Sequence, residues 1–170
     1  MSIRPTTSEY PPYYHRYVER IKTNNGLEAL SQSLQNSLVF LAAIPLEKWN
    51  YSYDVGKWTL KESWIHVIDT ERIFAYRALR IGRGDETPLA GFDQNDYVPH
   101  SNAVNRTPES VIEEYKMVRM ATIHLFKNFD TTAWSRLGTA SGGKVSVNAL
   151  AFMITGHESH HIAIAQERYL

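Results

Sequence analysis

The C-terminal segment, Ser146 to Leu170, carries apolar residues and histidines at the spacing of one helical face. At alternating steps of three and four residues, the stripe contains Val147, Leu150, Ile154, His157, His161 and Ile164. This periodicity is typical of one side of an α-helix. Because the aliphatic members would face a core, the two imidazoles that share their line would point inward as well. The segment therefore predicts a long last helix with two buried histidines.

Capping residues mark the starts of three helices. Thr59 and Glu62 form a capping box, in which the hydroxyl accepts from an early helical N–H and the glutamate reaches back. Thr107 followed by Pro108 gives a second start, with proline at the first helical position. Ser146 can cap the last helix. These signals predict helices that begin near residues 60, 108 and 147.

The other segments complete an all-α prediction. A short first helix carries the stripe Tyr10, Tyr14, Tyr17 and Ile21, and a second helix carries Leu27, Leu30, Leu34, Leu38 and Leu41. The connector from Gly82 to Arg106 is long enough for a crossover between parallel helices. A second connector runs from Asp130 to Val145, and no strand is predicted. We expect one domain over residues 1–170, with four long helices plus a short first one.

The composition limits the function classes. Eighteen basic residues balance eighteen acidic ones, so no surplus positive charge favours nucleic acid as a partner. There is no cysteine, which removes disulfides and thiolate metal sites and fits a reducing compartment. No secretory signal and no apolar run of the roughly 18 residues that a membrane span needs are visible. We expect a cytoplasmic protein with no nucleic-acid or membrane partner.

The run from His157 to His161 is the strongest candidate for chemistry. Two imidazoles one helical turn apart can reach the same metal ion at about 2.0–2.1 Å each. The alternative is two core histidines satisfied by neighbouring polar groups, each of which would need its own partners. The run also satisfies H-E-x-x-H, the metallopeptidase signature with Glu158 as general base, but too little chain follows to supply a downstream third ligand. We favour metal ligation without peptidase activity.

A catalytic zinc usually keeps three protein ligands and an open position, so a third ligand is needed. Residue type alone does not decide which other histidine is the third ligand. The candidates are His15, His66, His100 and His124. On its own helix His66 lies on the polar side, away from the apolar arc that includes Trp64 and Phe74. The pattern alone therefore predicts a solvated His66. His160 is expected to face away from the pair or to support it.

Three motifs resemble the DinB/YfiT-like superfamily. Gly56 to Glu62, followed by His66 and the acidic turn Asp69-Thr70-Glu71, is similar to its opening motif. The residues from Arg77 to Val98 resemble the loop that follows in many members. The tail from Gly143 to His161 resembles the closing helix with its H-x-x-x-H. The run Ile162-Ala163-Ile164-Ala165-Gln166 departs from the G-Q-[IL] often found there, which affects packing and not ligands.

The resemblance implies a four-helix bundle with up-down-down-up connections and a long crossover. Carried over residue by residue, it implies a metal held by His66, His157 and His161, with zinc or nickel as the usual ion and water in the open positions. The polar side of His66 would then line a wet pocket. Members are often homodimers, so a homodimer is expected here.

The resemblance also implies an activity. Relatives include transferases and isomerases that use low-molecular-weight thiols, and others are described as metal-dependent hydrolases. We expect a metal-dependent enzyme, thiol S-transferase-like or hydrolytic, acting on a small molecule. Glu62, Asp69 or Glu158 is a candidate orienter or proton carrier. The alternatives are a stress-related bundle that binds metal or ligand without turnover, and the peptidase.

Overall fold

The computed structural model describes residues 3–170, whose secondary structure is mostly helical. In chain order the elements are α1 (His15–Val18), α2 (Gly26–Ala42), α3 (Leu60–Gly82), α4 (Gln94–Tyr97), α5 (Pro108–Lys127), α6 (Thr131–Ser135), β1 (Leu137–Ala140), β2 (Gly143–Ser146) and α7 (Val147–Arg168). Single turns of 3₁₀-helix lie at Thr7–Glu9, Pro12–Tyr14, Leu46–Lys48, Val98–His100 and Ala103–Asn105.

The caps expected at three helix starts are present. The Thr59 hydroxyl accepts from the backbone N–H of Glu62 at 3.1 Å, and the Glu62 carboxylate accepts from the N–H of Thr59 at 2.7 Å. The Thr107 hydroxyl accepts from the N–H of Ser110 at 3.2 Å and caps α5 without a reciprocal carboxylate. Ser146 caps α7. Local signals therefore set the start of each of these three helices.

Helix α3 runs antiparallel to α7 and parallel to α5. Along α3, Ser63 contacts His161 and His66 contacts His157, so the numbering rises on one helix as it falls on the other. Glu71 further along α3 pairs with Arg119 on α5. Near the start of both helices, the Lys61 ammonium donates to the carbonyl of Arg106 at 2.9 Å.

Helix α2 closes the four-helix bundle on the other side. Its Ser33 meets Arg119 on α5, and its Ser37 meets Glu158 on α7. Gly26 at the start of α2 lies beside Ala151 near the start of α7, so α2 and α7 run parallel. The order is thus up-down-down-up for α2, α3, α5 and α7, and the crossover between α3 and α5 joins two parallel helices. The predicted fold class is confirmed. The apolar interior is centred on α7, where the side chains from Val147 to Ile154 are buried.

Two expectations about secondary structure are wrong. Asp130 to Val145 holds α6 and part of an antiparallel hairpin, in which Leu137 pairs with Ser146 and Ala140 with Gly143. Four-residue strands are too short to show an alternating pattern, and the turn between them depends on Ser141 and Gly142, with φ of 51° and 75°. A two-residue turn with both φ positive matches the twist of paired strands.

The first helix is also shorter than expected. Residues 12–14 form a 3₁₀ turn and only His15–Val18 are α-helical, so the tyrosine stripe spans a turn and a single helical turn instead of one continuous short helix. Asn25 caps the start of α2, its side chain accepting from the backbone N–H groups of Leu27 and Glu28. Among the helices of residues 3–170, none combines the length and the hydrophobicity of a membrane span.

Candidate functional site

Helices α3 and α7 bring three imidazoles together. The Nε2 atoms of His66 and His157 lie 3.1 Å apart, and the ring of His161 is centred 5.1 Å from that of His66 and 4.6 Å from that of His157. One nitrogen from each ring lies within 4.8 Å of one from each of the others. The antiparallel packing of the two helices produces this cluster, because residues 157 and 161 are one turn apart on α7 and face His66.

Hydroxyl groups hold the outer nitrogens of two of these rings. The Ser63 hydroxyl lies 3.0 Å from Nδ1 of His161, and the Thr70 hydroxyl lies 3.4 Å from Nδ1 of His66. Such contacts fix the orientation of an imidazole and leave Nε2 for another partner. Both hydroxyls come from α3, one turn before and one turn after His66.

Burial keeps the three imidazoles neutral. It lowers the pKa of His66 to about 4 and that of His161 to about 3. The pKa of His157 falls well below its usual value, first because of burial and then because of the neighbouring rings. The cluster is therefore uncharged near pH 7, the state in which imidazole binds a metal ion.

The histidines line a cavity of about 280 Å³. Its wall is rich in aromatic and hydroxyl side chains, and none of the lining residues within the described chain is Asp or Glu. The lining side chains other than the three histidines are Tyr13, Tyr14, Arg16, Tyr17, Trp58, Thr70, Phe74, Phe92, Gln94, Ser141 and His160. The cavity is large enough for a small molecule and offers ring faces and hydroxyl donors to it.

The segment around α1 forms one side of this cavity. The ring of Tyr17 lies 5.4 Å from those of both His157 and His160. This approach depends on Gly156, since a Cβ at that position would lie 2.1 Å from the carbonyl oxygen of Tyr17. The pKa of Tyr17 is raised to about 12, mainly by burial, so its phenol stays protonated. Periodicity gave no sign that the tyrosines near the N-terminus would meet the last helix.

The histidines left open by the sequence lie outside the cluster, apart from His66. His15, His100 and His124 are exposed, whereas His66 is 7% exposed. The prediction of a solvated His66 is thus wrong. Its polar helix side faces the cavity and neighbouring helices, so residues that look solvent-facing by pattern are buried. His160 borders the cavity beside Tyr17 and is not one of the three converging rings.

The three acidic candidates do not line the histidine cavity. Glu62 is engaged in the α3 capping box. Asp69 borders a separate surface depression that also contains Asp96 and His100. Glu158 is buried on another face of α7, where Ser37, Tyr115 and Arg119 bind its carboxylate. Each carboxylate is directed away from the three histidines, and a role for any of them as orienter or proton carrier stays a prediction.

The surroundings of Glu158 were not foreseen from the sequence. Arg119 is fully buried, and its guanidinium binds both oxygens of Glu71, at 2.8 and 2.9 Å, as well as Glu158. Burial by itself would lower the pKa of Arg119, but the two carboxylates together outweigh it, raise that pKa well above its usual value and keep the guanidinium charged. A general base for H-E-x-x-H chemistry would have to face the histidines. Here the glutamate of that motif instead joins α7 to α2 and α5.

Fold and site together define the class: a four-helix bundle with a three-histidine cavity between two antiparallel helices. The DinB superfamily profile matches residues 29–165. The chain belongs to the DinB superfamily, and the resemblance seen in its motifs is confirmed. The matched range begins within α2, so the segment that carries α1 lies outside it.

Solved structures share the fold at low sequence identity. YfiT from Bacillus subtilis, described as "a probable metal-dependent hydrolase with an unusual four-helix bundle topology", aligns over 98% of this chain and 91% of its own, with TM-score 0.69 and 15% identity. A mycothiol-dependent maleylpyruvate isomerase aligns over 86% of this chain but only 61% of its own, with TM-score 0.70 and 14% identity. No curated protein matches the sequence. These likenesses concern the fold.

Proposed function

We propose that this protein is a divalent-metal-dependent enzyme in which His66, His157 and His161 bind zinc or nickel. The observation that carries the proposal is the convergence of three neutral imidazoles, two buried and one half-buried, on one point. Two nitrogens bound to one tetrahedral ion at about 2.1 Å lie roughly 3.4 Å apart, close to the spacing of the His66 and His157 nitrogens. The residues present therefore fit the ion.

A hydrogen bond between His66 and His157 is the simplest alternative explanation of their contact. One Nε2–H donating to the other Nε2 would satisfy both nitrogens. It would leave unexplained why His161 converges on the same point with its Nδ1 already held by Ser63. A shared ion accounts for all three rings.

The reaction we propose is thiol S-transfer or hydrolysis on a small molecule. A divalent ion with three neutral ligands supplies a Lewis acid that lowers the pKa of a bound water or thiol. The cavity wall has no carboxylate among its described lining residues, which favours a thiol nucleophile over water activated by an acidic side chain. Tyr17 and Trp58 would pack against the substrate, and Ser63 and Thr70 would keep the histidine rings in place.

The relatives support the same class of chemistry. The names of the two structures include a metal-dependent hydrolase and a thiol-dependent isomerase of a small molecule. A low-molecular-weight thiol is therefore our first candidate co-substrate. Assembly as a homodimer also belongs to the proposal and is measured by light scattering of the purified chain.

The test is conjugation of a panel of low-molecular-weight thiols to a small electrophile, with and without a chelator. We expect turnover that is lost on chelation and in His161→Ala with retained fold, and kept in His124→Ala, which removes an exposed histidine. Absence of turnover with every thiol, together with retained metal, would instead support a bundle that binds metal without catalysis.

A further inference from the structure

Arg77 is a buried cation without an anionic partner. Its side chain is 3% exposed, and Nη2 donates to the carbonyl of Ala90 at 2.9 Å and to the Ser141 hydroxyl at 2.8 Å. Within residues 3–170, no ion pair involves it. The equally buried Arg119 has two carboxylates. Since burying an unpaired charge is costly, the site of Arg77 favours the arrival of an anion.

The groups that contact Arg77 line the histidine cavity. Ser141 accepts from it, its guanidinium lies 5.6 Å from the centre of the Phe74 ring, and it interacts with the phenol of Tyr14. All three of these residues border the cavity. Arg77 itself borders a neighbouring depression, so its positive charge reaches the histidine cavity through these three wall residues.

The Ser141 hydroxyl can transmit the effect of the Arg77 charge to a ligand in the cavity. A hydroxyl that accepts from a guanidinium keeps its own proton to donate to a second partner. Because the first partner is charged, the hydroxyl becomes a stronger donor to an oxyanion on the cavity side. An arginine and a hydroxyl in series form a donor system suited to a carboxylate.

The backbone at Ser141 supports a role for its side chain. Its φ of 51° lies in the left-handed region, where glycine has no steric cost and serine does. Its N–H donates to the carbonyl of Leu89 at 3.0 Å and ties the hairpin turn to the crossover. A residue other than glycine at such a strained, anchored position points to a use for the hydroxyl.

The cavity wall itself also carries a positive side chain. Arg16 stacks on the rings of Tyr13 and Tyr17, at 4.2 and 4.8 Å, and borders the cavity without an ion pair among the described residues. The absence of acidic lining side chains leaves nothing to offset the two arginines. An anionic molecule would provide that balance.

We propose that the histidine cavity binds an elongated small molecule whose carboxylate is held by Arg77 through the Ser141 hydroxyl. The ligand would lie along the face of α3 that carries His66, Thr70, Phe74 and Arg77. His66 and Arg77 are separated by about 16 Å along the helix axis. The carboxylate and the group that reaches the histidines are therefore at opposite ends of the ligand. This assignment rests on the proposed function only for the identity of the reacting end.

Calorimetric titration with 3-phenylpropanoate and its uncharged amide tests the proposal on the full chain as purified. We expect the acid to bind at least about tenfold more tightly than the amide, as one charge-assisted interaction predicts. The preference should fall in Arg77→Gln and in Ser141→Gly, and it should persist in Lys127→Gln, which removes an exposed charge far from the cavity. Ser141→Gly keeps the turn, because glycine accepts the positive φ, so it remains informative if Arg77→Gln fails to fold.

Equal binding of acid and amide, no binding of the acid, or a preference unchanged in both cavity variants would overturn the proposal. An unchanged preference would place the carboxylate elsewhere, for example on a metal ion. Metal content measured on the same samples separates this result from the proposed function. A metal-free protein that still prefers the acid contradicts the metal site alone, whereas a metal-loaded protein without the preference contradicts the carboxylate site alone.

Discussion

The adjacent residues His157 and Glu158 make different contacts, because they lie about 100° apart around α7. His157 faces the cavity, and Glu158 faces the buried contacts with Arg119, Ser37 and Tyr115. The H-E-x-x-H pattern is therefore satisfied in sequence but divided in space between a candidate metal site and a buried ion-pair network. The distinction depends on partners from two other helices, which one sequence does not pair.

Replacing Glu158 by glutamine separates these two roles. We expect Glu158→Gln to lower the free energy of unfolding by about 3 kcal/mol, because it removes a charge that neutralises buried Arg119. Metal affinity should change little. Urea unfolding and metal titration measure the two effects, with Glu167→Gln as a control on the exposed side of the same helix. Loss of activity at full stability would instead indicate a catalytic Glu158.

The lowered pKa values of the histidines predict how stability depends on pH. In the unfolded chain a histidine takes up a proton near pH 6.5, whereas in the folded chain His66 does so near 4 and His161 near 3. The unfolded state thus binds more protons in this window. The stability of the metal-free protein is full above pH 6.5 and falls as the pH drops towards 4, by about 1.4 kcal/mol per pH unit for each histidine.

Urea unfolding of protein treated with a chelator, measured at pH 7 and pH 5, tests whether stability falls as the pH drops. His161→Gln should show a smaller loss between the two pH values than the parent chain, by about 1 to 2 kcal/mol. An equal loss of unfolding free energy in both proteins would mean that His161 takes up its proton in the folded state between pH 7 and pH 5.

At the scale of elements, the position of α1 against α7 depends on one glycine. Gly156 lies beneath the Tyr17 carbonyl, one residue before His157, and allows the two backbones to approach. The contact places the Tyr17 ring against the histidines. The same contact explains how a segment outside the family-matched residues comes to line the cavity.

Gly156→Ala is expected to displace α1 from α7. The added Cβ would clash with backbone that cannot rotate away, so we expect a loss of about 1 to 3 kcal/mol or more. Amide exchange should rise in His15–Val18. Gly91→Ala is the control, because a Cβ there makes only ordinary contacts. Unchanged exchange and melting temperature would show that the approach of the two helices is not this close.

The elements differ in how far the sequence predicts them. Thr59, Thr107 and Ser146 act on neighbouring N–H groups, so their caps are readable from local sequence. The hairpin is not, because its four-residue strands are stabilised by pairing with each other and by the bridge from Leu89 to Ala140. Periodicity does not predict the burial of His66 either, because it identifies the apolar side of a helix and not a polar side that faces a cavity.

For the whole molecule, the bundle determines where a site can form and the cavity wall determines what it accepts. The same fold occurs in structures named as a hydrolase and as an isomerase, so the fold does not select the reaction. In this chain α3 and α7 provide the histidines, the N-terminal segment provides tyrosines and Arg16, and the hairpin provides Ser141. The family motifs made the three histidines predictable, whereas these wall residues depend on distant contacts.

Elemental analysis of the protein purified without a histidine tag tests the metal site most directly. The account predicts about one zinc or nickel ion per chain, a His66→Ala/His157→Ala variant that is folded but metal-free, and a His100→Ala/His124→Ala control that keeps its ion. A parent protein without metal after exposure to both ions, or a His66→Ala/His157→Ala variant that retains the full amount, would contradict it.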